Sequence, residues 1–409
     1  MKKQIAMFLA ATSFLTLVSC AKPNPTESTT NFTTETTTGA DITPTDTAFK
    51  AYYPLSDAFS ETPTRLLYVQ SGVVKYYNKF TGESHLFCFD PLCDHADVNE
   101  CIAQKFMMAD SGIQSIEYCE YDNRFYALRG SQFCSFSFDG SDLRVEYSFG
   151  EEGKFGENKH GAYMFGDTAY LCVYGQYAFF LVRDSKSGKF ALTCFDVKTK
   201  EFERIFYDEN TNFNGYWICD DSIYMSLVGD YSGLYRLELD GSGLEKISDE
   251  TYLNFSEGIF DGEKLYMIDS VDNVCKKIVS FSPETDTFED VMQIEDGVPH
   301  NLLAVTEDYL YFTKREPISV GFNETPWGKD EVFNYCSRIY RLSKQTGEVV
   351  TVLDDIRCST RMLFFMEDTV FLVGTVYTPD ETKASSNGAV FTAKLDENGM
   401  FTELTKHEG

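Results

Sequence analysis

The sequence has few basic residues for its size. Lys and Arg number 35 against 64 Asp and Glu in 409 residues, so the formal net charge is −29. A chain this acidic repels the phosphates of nucleic acids and anionic lipid headgroups. We therefore expect no nucleic acid partner, and we expect any charged partner to be cationic.

Histidines and recognisable catalytic motifs are also scarce. The five histidines are dispersed along the chain, as His85, His95, His160, His300 and His407. The sequence has neither the G-x-S-x-G motif of a nucleophile elbow nor the H-E-x-x-H motif of a zinc protease. A hydrolase or lyase is therefore kept only as an alternative function.

A long apolar run occurs at the N-terminus, where residues 5–18 follow two lysines. It is too short to cross a bilayer comfortably and lies where a secretory signal has its apolar region. The end of this run and the two residues after it, Leu17-Val18-Ser19-Cys20, resemble the lipobox of bacterial lipoproteins. The resemblance implies that residues 1–19 are removed and that Cys20 carries a diacylglyceryl anchor in the cell membrane, facing the extracytoplasmic side. The alternative is an ordinary secretory signal with a chance cysteine.

Residues 20–49 have few large apolar side chains. Eleven of the thirty residues from 21 to 50 are Thr, and three are Pro. Such a segment cannot bury enough surface to offset the entropy of ordering, so we expect a disordered stalk. Residues 50–409 remain for a folded domain.

The folded part carries a repeat. An acidic or Gly-containing turn precedes an apolar-aromatic pair, and a further alternating strand then runs into a tight turn. The pairs recur at spacings of 42 to 60 residues, as Leu67-Tyr68, Phe125-Tyr126, Ala169-Tyr170, Ile223-Tyr224, Leu265-Tyr266, Leu310-Tyr311 and Val370-Phe371. Short alternating strands bounded by Gly and Asp turns indicate antiparallel hairpins, and four strands at this spacing are typical of a β-propeller blade.

We therefore predict an all-β fold, a single β-propeller of seven four-stranded blades preceded by the stalk. The seven units fall at residues 50–110, 111–155, 156–210, 211–250, 251–297, 298–356 and 357–407. The innermost strand of the first unit is poorly defined. It is expected around Ala48–Pro54, or else the other terminus closes this unit, so a ring of six blades is the alternative.

Two segments show the repeat most clearly. They are Gly233–Gly243, with the sequence GLYRLELDGSG, and Cys134–Ser141, with the sequence CSFSFDGS. Both resemble the strand-and-turn repeat of low-density-lipoprotein-receptor-like propeller domains, which occur in many lipoproteins of Gram-positive gut bacteria. The resemblance extends diffusely over residues 50–407 and implies a fold but no activity, because propellers serve binding, scaffolding and catalysis alike. Two departures are the irregular unit lengths and the absence of the tetrapeptide Tyr-Trp-Thr-Asp.

Three cysteines and a histidine lie close together in the first unit. Cys88, Cys93, His95 and Cys101 have the spacing C-x4-C-x-H-x5-C. Three thiolates and an imidazole form a complete tetrahedral set for a structural zinc ion, which would clip this loop. The competing interpretations are a disulfide, Cys88–Cys101 or Cys93–Cys101, with one thiol left over, or simply free thiols.

Eight other cysteines are scattered through apparent strands. Buried thiols behave as small hydrophobic side chains, and this is the interpretation for each of them. So many thiols in an exported protein indicate a reducing habitat. These cysteines are Cys119, Cys134, Cys172, Cys194, Cys219, Cys275, Cys336 and Cys358.

Propeller topology indicates where a ligand would bind. Loops joining second to third strands lie on the same face as the connections between blades. The connection 89–112 and the insertions 314–335 and 377–388 should therefore cluster over units six, seven and one. Long loops on a rigid scaffold are where binding residues concentrate.

The insertion in unit six carries the candidate ligand-binding residues. They are Phe322, Asn323, Glu324, Trp327, Lys329 and Asp330. An exposed Trp among polar groups suits a sugar ring or a peptide, although Trp327 could instead anchor its own loop. Trp217 lies in a strand pattern and is expected in the core. We therefore expect a binding module for a glycan, peptide or partner protein. The alternatives are a hydrolase or lyase with its site in the propeller channel, and a metal-binding envelope protein using the Cys/His loop.

Overall fold

The structure is a computed structural model that describes the chain between residues 59 and 407, with gaps. The gaps are 71–72, 89–92, 94–100, 102–112, 130–131, 139–141, 150–162, 165–170, 185–187, 220, 250–257, 272–273, 296–299, 326–327, 335–337, 355–357, 367–368, 379–384 and 397. The predicted signal peptide, Cys20 and the stalk lie outside the described residues.

Seven antiparallel sheets of four strands form the blades of a β-propeller. The first four blades are β1 (Phe59–Glu61), β2 (Arg65–Gln70), β3 (Val73–Asn78) and β4 (Glu83–Leu86); β5 (Ile113–Cys119), β6 (Arg124–Arg129), β7 (Gln132–Ser137) and β8 (Arg144–Ser148); β10 (Leu171–Tyr174), β11 (Tyr177–Asp184), β12 (Phe190–Asp196) and β13 (Glu201–Tyr207), with β9 (Tyr163–Met164) beside β11; and β14 (Thr211–Cys219), β15 (Ser222–Gly229), β16 (Gly233–Glu238) and β17 (Glu245–Ser248).

The remaining three blades follow in the same order. They are β18 (Ile259–Phe260), β19 (Leu265–Val271), β20 (Val274–Ser282) and β21 (Thr287–Gln293); β22 (His300–Val305), β23 (Tyr309–Lys314), β26 (Ile339–Ser343) and β27 (Val349–Leu353), with the inserted hairpin β24 (Ile318–Thr325) and β25 (Gly328–Asn334); and β28 (Cys358–Met366), β29 (Thr369–Thr378), β30 (Ser385–Leu395) and β31 (Phe401–His407). Within these described residues, no helix has the length and apolar character needed to cross a membrane.

The prediction of an all-β propeller with seven four-stranded blades is confirmed, and the six-bladed alternative is wrong. The innermost strand of the first blade is β1, so it lies after the segment 48–54 that was expected to supply it. It was hard to recognise because β1 has only three residues and shows no clear alternation.

Hydrophobic side chains fill the space between neighbouring blades. The described residues form seven buried clusters, and each cluster joins one blade to the next around the ring. Both faces of each sheet are therefore covered. Trp217 belongs to the cluster between the fourth and fifth blades, which confirms its predicted place in the core. Cys119, Cys194 and Cys219 are buried in such clusters, as expected for small hydrophobic side chains.

The ring closes between the seventh and first blades. Phe371 of β29 packs against Tyr68 and Tyr77 of the first blade, with ring centroids 5.6 and 4.8 Å away. The strands of each blade come from one continuous stretch of chain. Within the described residues the ring is therefore closed by side-chain packing and not by a strand from the other end of the chain.

The recurring apolar-aromatic pairs lie on the second strand of six blades. In the third blade the sequence pair Ala169-Tyr170 lies outside the described residues. The equivalent position there belongs to Ala178-Phe179, because Phe179 pairs with Cys172 of the innermost strand as Tyr224 pairs with Trp217 in the fourth blade.

Candidate metal centre and binding face

The chain leaving β4 delivers Cys88 to the junction of the first two blades. Phe87 is fully buried, and its ring packs against Phe125 and Phe136 of the second blade at 5.8 and 5.6 Å. The Phe87 amide also donates to the carbonyl of Val74 at 3.0 Å. Cys88 is therefore held at a fixed point beside the junction of the first two blades.

Cys88, Cys93 and Cys101 come together although they are separated by up to thirteen positions in the sequence. Their Sγ atoms all lie within 4.8 Å of one another. Cys101 is buried, and the other two are half-buried. His95 lies outside the described residues. The structure therefore brings together the three thiols that the spacing singled out, and this group could hold a metal ion.

The geometry of the three thiols fits a thiolate-bound ion. Four ligands around zinc with bonds of about 2.3 Å place neighbouring sulfurs about 3.8 Å apart, which is within the observed spread. Thiolates also favour zinc, copper(I) and iron–sulfur centres over magnesium or calcium. The same proximity would let two of the thiols oxidise to a disulfide after a small movement, since that bond needs sulfurs about 2 Å apart.

The insertion in the sixth blade is a β-hairpin. Strands β24 and β25 form a separate two-stranded sheet between β23 and β26, the second and third strands of that blade. The chain therefore enters and leaves the blade where sequence analysis placed the insertion. In the seventh blade β29 and β30 stay paired as far as Thr378 and Ser385, so the described residues of the segment 377–388 are strand.

The hairpin lies beside the seventh blade, since β24 contacts β29. The seventh blade in turn packs on the first. Because connections between blades lie on the same face as this hairpin, the thiol group and the hairpin belong to one face and one sector of the ring. We call it the loop-rich face, defined by Cys88, Cys93 and Cys101 and by the hairpin strands β24 and β25.

One side of the hairpin is aromatic and exposed. Phe322 pairs with Glu331, and Phe333 lies two residues further along β25, so both phenylalanines point to the same side. Their exposed fractions are 49% and 38%. Phe333 was not among the binding residues predicted from the sequence. The alternation Glu331-Val332-Phe333 within the insertion is the pattern that could have indicated it.

The other candidate binding residues lie on or near the same hairpin. Lys329 and Asp330 are exposed. The backbones of Asn323 and Glu324 pair with Asp330 and Lys329 within β24 and β25. Trp327 lies outside the described residues.

The channel side of the ring carries one unexpected carboxyl group. The innermost-strand residue that pairs with the second-strand aromatic is Glu117 in the second blade and apolar or Cys in the other six, as Phe59, Cys172, Trp217, Ile259, Ala304 and Phe364. Burial raises the pKa of Glu117 to about 8, against the opposing effect of a hydrogen bond from the Tyr118 backbone. Glu117 is therefore protonated at neutral pH.

Cys172 and Tyr216 surround this carboxyl group. Burial, then the charge of Glu117, raises the pKa of the Cys172 thiol. Burial also raises the pKa of Tyr216, whose hydroxyl donates to the carbonyl of Phe179 at 2.8 Å. All three groups are neutral at pH 7. Within the described innermost strands the other carboxylate, Glu61, lies 2.5 Å from Lys79. Glu117, Cys172 and Tyr216 are therefore neither ionised bases nor activated nucleophiles at neutral pH.

These features define the class of protein: the described chain is a seven-bladed β-propeller with a three-thiol group and a projecting aromatic hairpin on one face. No protein-family model matches the sequence, and no curated protein matches it.

Several solved structures are similar in fold. The oligogalacturonate lyase of Vibrio parahaemolyticus aligns over 87% of this chain and 93% of its own, with 11% identity and a TM-score of 0.53. Prolyl oligopeptidase B from Galerina marginata aligns over 87% of this chain and 51% of its own, with 15% identity and a TM-score of 0.49. The likeness to the oligogalacturonate lyase shows a β-propeller fold, and at 11% identity it shows nothing of activity.

Proposed function

We propose that this chain is a lipid-anchored extracytoplasmic binding module of the low-density-lipoprotein-receptor-like propeller type. It recognises a glycan, peptide or partner protein through the loop-rich face. The observation that carries the proposal is the pair of exposed phenylalanines, Phe322 and Phe333, on one side of a projecting hairpin. Exposed aromatic clusters on a rigid scaffold are typical of binding surfaces.

The anchor rests on the sequence around Cys20. Lipidation there would hold the protein at the cell membrane, and a stalk over residues 20–49 would let the propeller turn freely. Labelling cells with a radioactive fatty acid tests this part. We expect label in the wild-type protein and none in Cys20→Ala. Label that persists in Cys20→Ala would refute the assigned anchor.

Ligand binding is tested with the mature chain carrying Cys20→Ser, which keeps it free of lipid. The protein is applied to glycan and peptide arrays beside the double variant Phe322→Ser/Phe333→Ser. We expect ligands of the parent protein to be lost by the double variant. The matched control is Phe80→Ser, because Phe80 is 78% exposed on the β3–β4 turn at the opposite face of the ring. Equal binding by all three proteins would place the site elsewhere.

We also propose a structural metal site, which the cluster of three thiols favours. The thiolates of Cys88, Cys93 and Cys101 would hold a zinc ion, and His95 is the proposed fourth ligand. The ion would supply no reaction chemistry, since four protein ligands leave no open position for a substrate. Its role would be to clip the connection between the first two blades.

Elemental analysis of protein purified under reducing conditions tests the metal proposal. We expect about one zinc ion per chain, reduced by Cys88→Ser and by Cys101→Ser. The control Cys194→Ser removes a thiol in the cluster between the third and fourth blades and should leave the zinc content unchanged. Metal-free protein with a Cys88–Cys101 or Cys93–Cys101 bond in its peptide map would establish the disulfide alternative instead.

A further inference from the structure

The outer edge of β25 is available to a third strand. Strand β25 pairs with β24 and with no other strand in the part of the chain that the structure describes. Strand β24 contacts β29 of the seventh blade, and β25 is the strand of the hairpin whose second edge has no strand partner among the described residues. Edge strands present a row of backbone donors and acceptors that can pair with another chain.

The charge of this edge is negative. Asp330 and Glu331 are exposed on adjacent positions of β25, and Lys329 precedes them. The whole chain has a formal net charge of −29. This field attracts cationic segments and repels acidic ones over distances of about 10 Å at moderate salt.

The aromatic side of the hairpin sets the pattern of an incoming strand. Phe333 and Glu331 lie on one side of β25, and Asp330 lies on the other. A strand added along β25 would alternate its side chains across the same two sides. An apolar residue would therefore lie beside Phe333, and a basic residue would lie beside Asp330.

From these observations we propose that the β25 edge captures an extended cationic peptide segment as a third strand of the hairpin. The proposal rests on the binding function proposed for the loop-rich face and names the ligand class. Backbone pairing supplies part of the affinity, the Asp330 carboxylate selects basic side chains, and Phe333 covers the apolar ones.

A peptide of alternating lysine and valine, acetylated and amidated, is the probe for this site. Binding is measured by calorimetry with the Cys20→Ser mature chain at low salt. We expect saturable binding that weakens at least tenfold in Phe333→Ser and in Asp330→Lys, while Phe80→Ser binds as the parent does. Because all three side chains are exposed, thermal unfolding of the variants should match that of the parent.

Two further peptides separate the contributions. One has the same sequence with N-methyl groups on alternate residues, which removes backbone donors, and the other has glutamate in place of lysine. We expect both to bind at least tenfold more weakly. An N-methylated peptide that binds as well as the parent peptide would overturn strand addition, and a glutamate peptide that binds as well would overturn the charge selection.

Glycans are the competing ligand. If the lysine–valine peptide does not bind while a glycan binds and is lost in Phe322→Ser/Phe333→Ser, strand capture is wrong and the binding function stands. If neither peptide nor glycan depends on the two phenylalanines, both proposals fail.

Discussion

Lys344 of the sixth blade places its Nζ atom 2.7 Å from Oδ2 of Asp261 in the fifth blade. Both side chains are largely shielded, with exposed fractions of 16% and 11%. The other carboxylate oxygen of Asp261 accepts the backbone amides of Glu263 and Lys264. The same ammonium group stands 4.9 Å from the ring centroid of Tyr266, the aromatic residue of the recurring pair. One ion pair therefore ties the turn, the recurring aromatic and the next blade together.

This contact predicts strong coupling between Asp261 and Lys344. Removing either partner leaves a shielded charge uncompensated, so Asp261→Asn and Lys344→Met should each cost about 2 kcal/mol of unfolding free energy. A double-mutant cycle measured by urea unfolding should show that the two losses are not additive. Lys246 and Asp249 form an exposed pair and serve as the control, for which we expect no measurable coupling. Strictly additive losses at Asp261 and Lys344 would contradict this role.

The same pair has a defined pH dependence. Burial raises the pKa of Asp261, but the hydrogen bonds from Lys344 and the backbone outweigh it, so the pKa lies below the ordinary 3.8. The stabilisation is therefore complete above the unfolded pKa and is lost as pH falls through the lower folded pKa. Asp261→Asn should remove this acid-dependent component from a plot of unfolding free energy between pH 5 and pH 2.

The pH dependence of stability expected from Glu117 has the opposite sign to that from Asp261. Its folded pKa of about 8 exceeds the ordinary 4.5, so the folded state holds a proton that the unfolded state releases over this range. Stability should fall as pH rises from about 4.5 to about 8, on the order of 2 kcal/mol after allowing for partial solvent access, and should then level off. Glu117→Gln should flatten the slope, whereas Glu120→Gln at a neighbouring exposed position should keep it. A wild-type slope that survives in Glu117→Gln would assign it to another group.

Ring closure depends on a small number of aromatic contacts. Phe371→Ala would leave a cavity against Tyr68 and Tyr77 and should cost about 3–5 kcal/mol. Phe80→Ala removes an exposed ring and should change stability little. Thermal unfolding measures both. If Phe371→Ala unfolded like Phe80→Ala, the junction between the last and first blades would have to be held by other contacts.

Gly229 meets a steric limit at the end of β15. Its φ is +123°, and a Cβ there would collide with the carbonyl of Asn210. Gly229→Ala should therefore destabilise the protein by at least about 2 kcal/mol, because the backbone at Asn210 or at position 229 must move. Gly175 also has positive φ, +58°, but no atom lies within 4 Å of its added Cβ. Gly175→Ala should cost only the conformational penalty of about 1 kcal/mol. Similar losses in the two variants would contradict the collision.

Features encoded locally could be predicted from the sequence. The blades were recognisable because each repeats a short aromatic motif between turns, and the thiol group because three cysteines lie within fourteen residues. The third blade was harder, since Ala169-Tyr170 has the same local composition as the pair that occupies the equivalent position, Ala178-Phe179.

Features that depend on the closed ring could not be predicted. In the strand IQSIEYC, Glu117 follows an ordinary polar-apolar alternation and looks solvent-facing. Burial of Glu117 arises only because another blade covers that side of the sheet, bringing it near Cys172, which is 55 residues further along the chain. The hairpin β24–β25 was located as an insertion, but its bulge between Ser319 and Gly321 hid the alternation that aligns Phe322 with Phe333.

Because the ring is closed by packing, the chain could begin and end at a different blade without breaking a sheet. Every hydrogen-bonded sheet is complete within one continuous stretch of chain, and the seventh blade meets the first through a hydrophobic cluster like those at the other junctions. A circularly permuted chain, with residue 407 linked to residue 59 and new ends between the fourth and fifth blades, would keep every sheet intact. Duplication or loss of a whole blade would likewise break no strand pairing, so the ring can change size in evolution one module at a time.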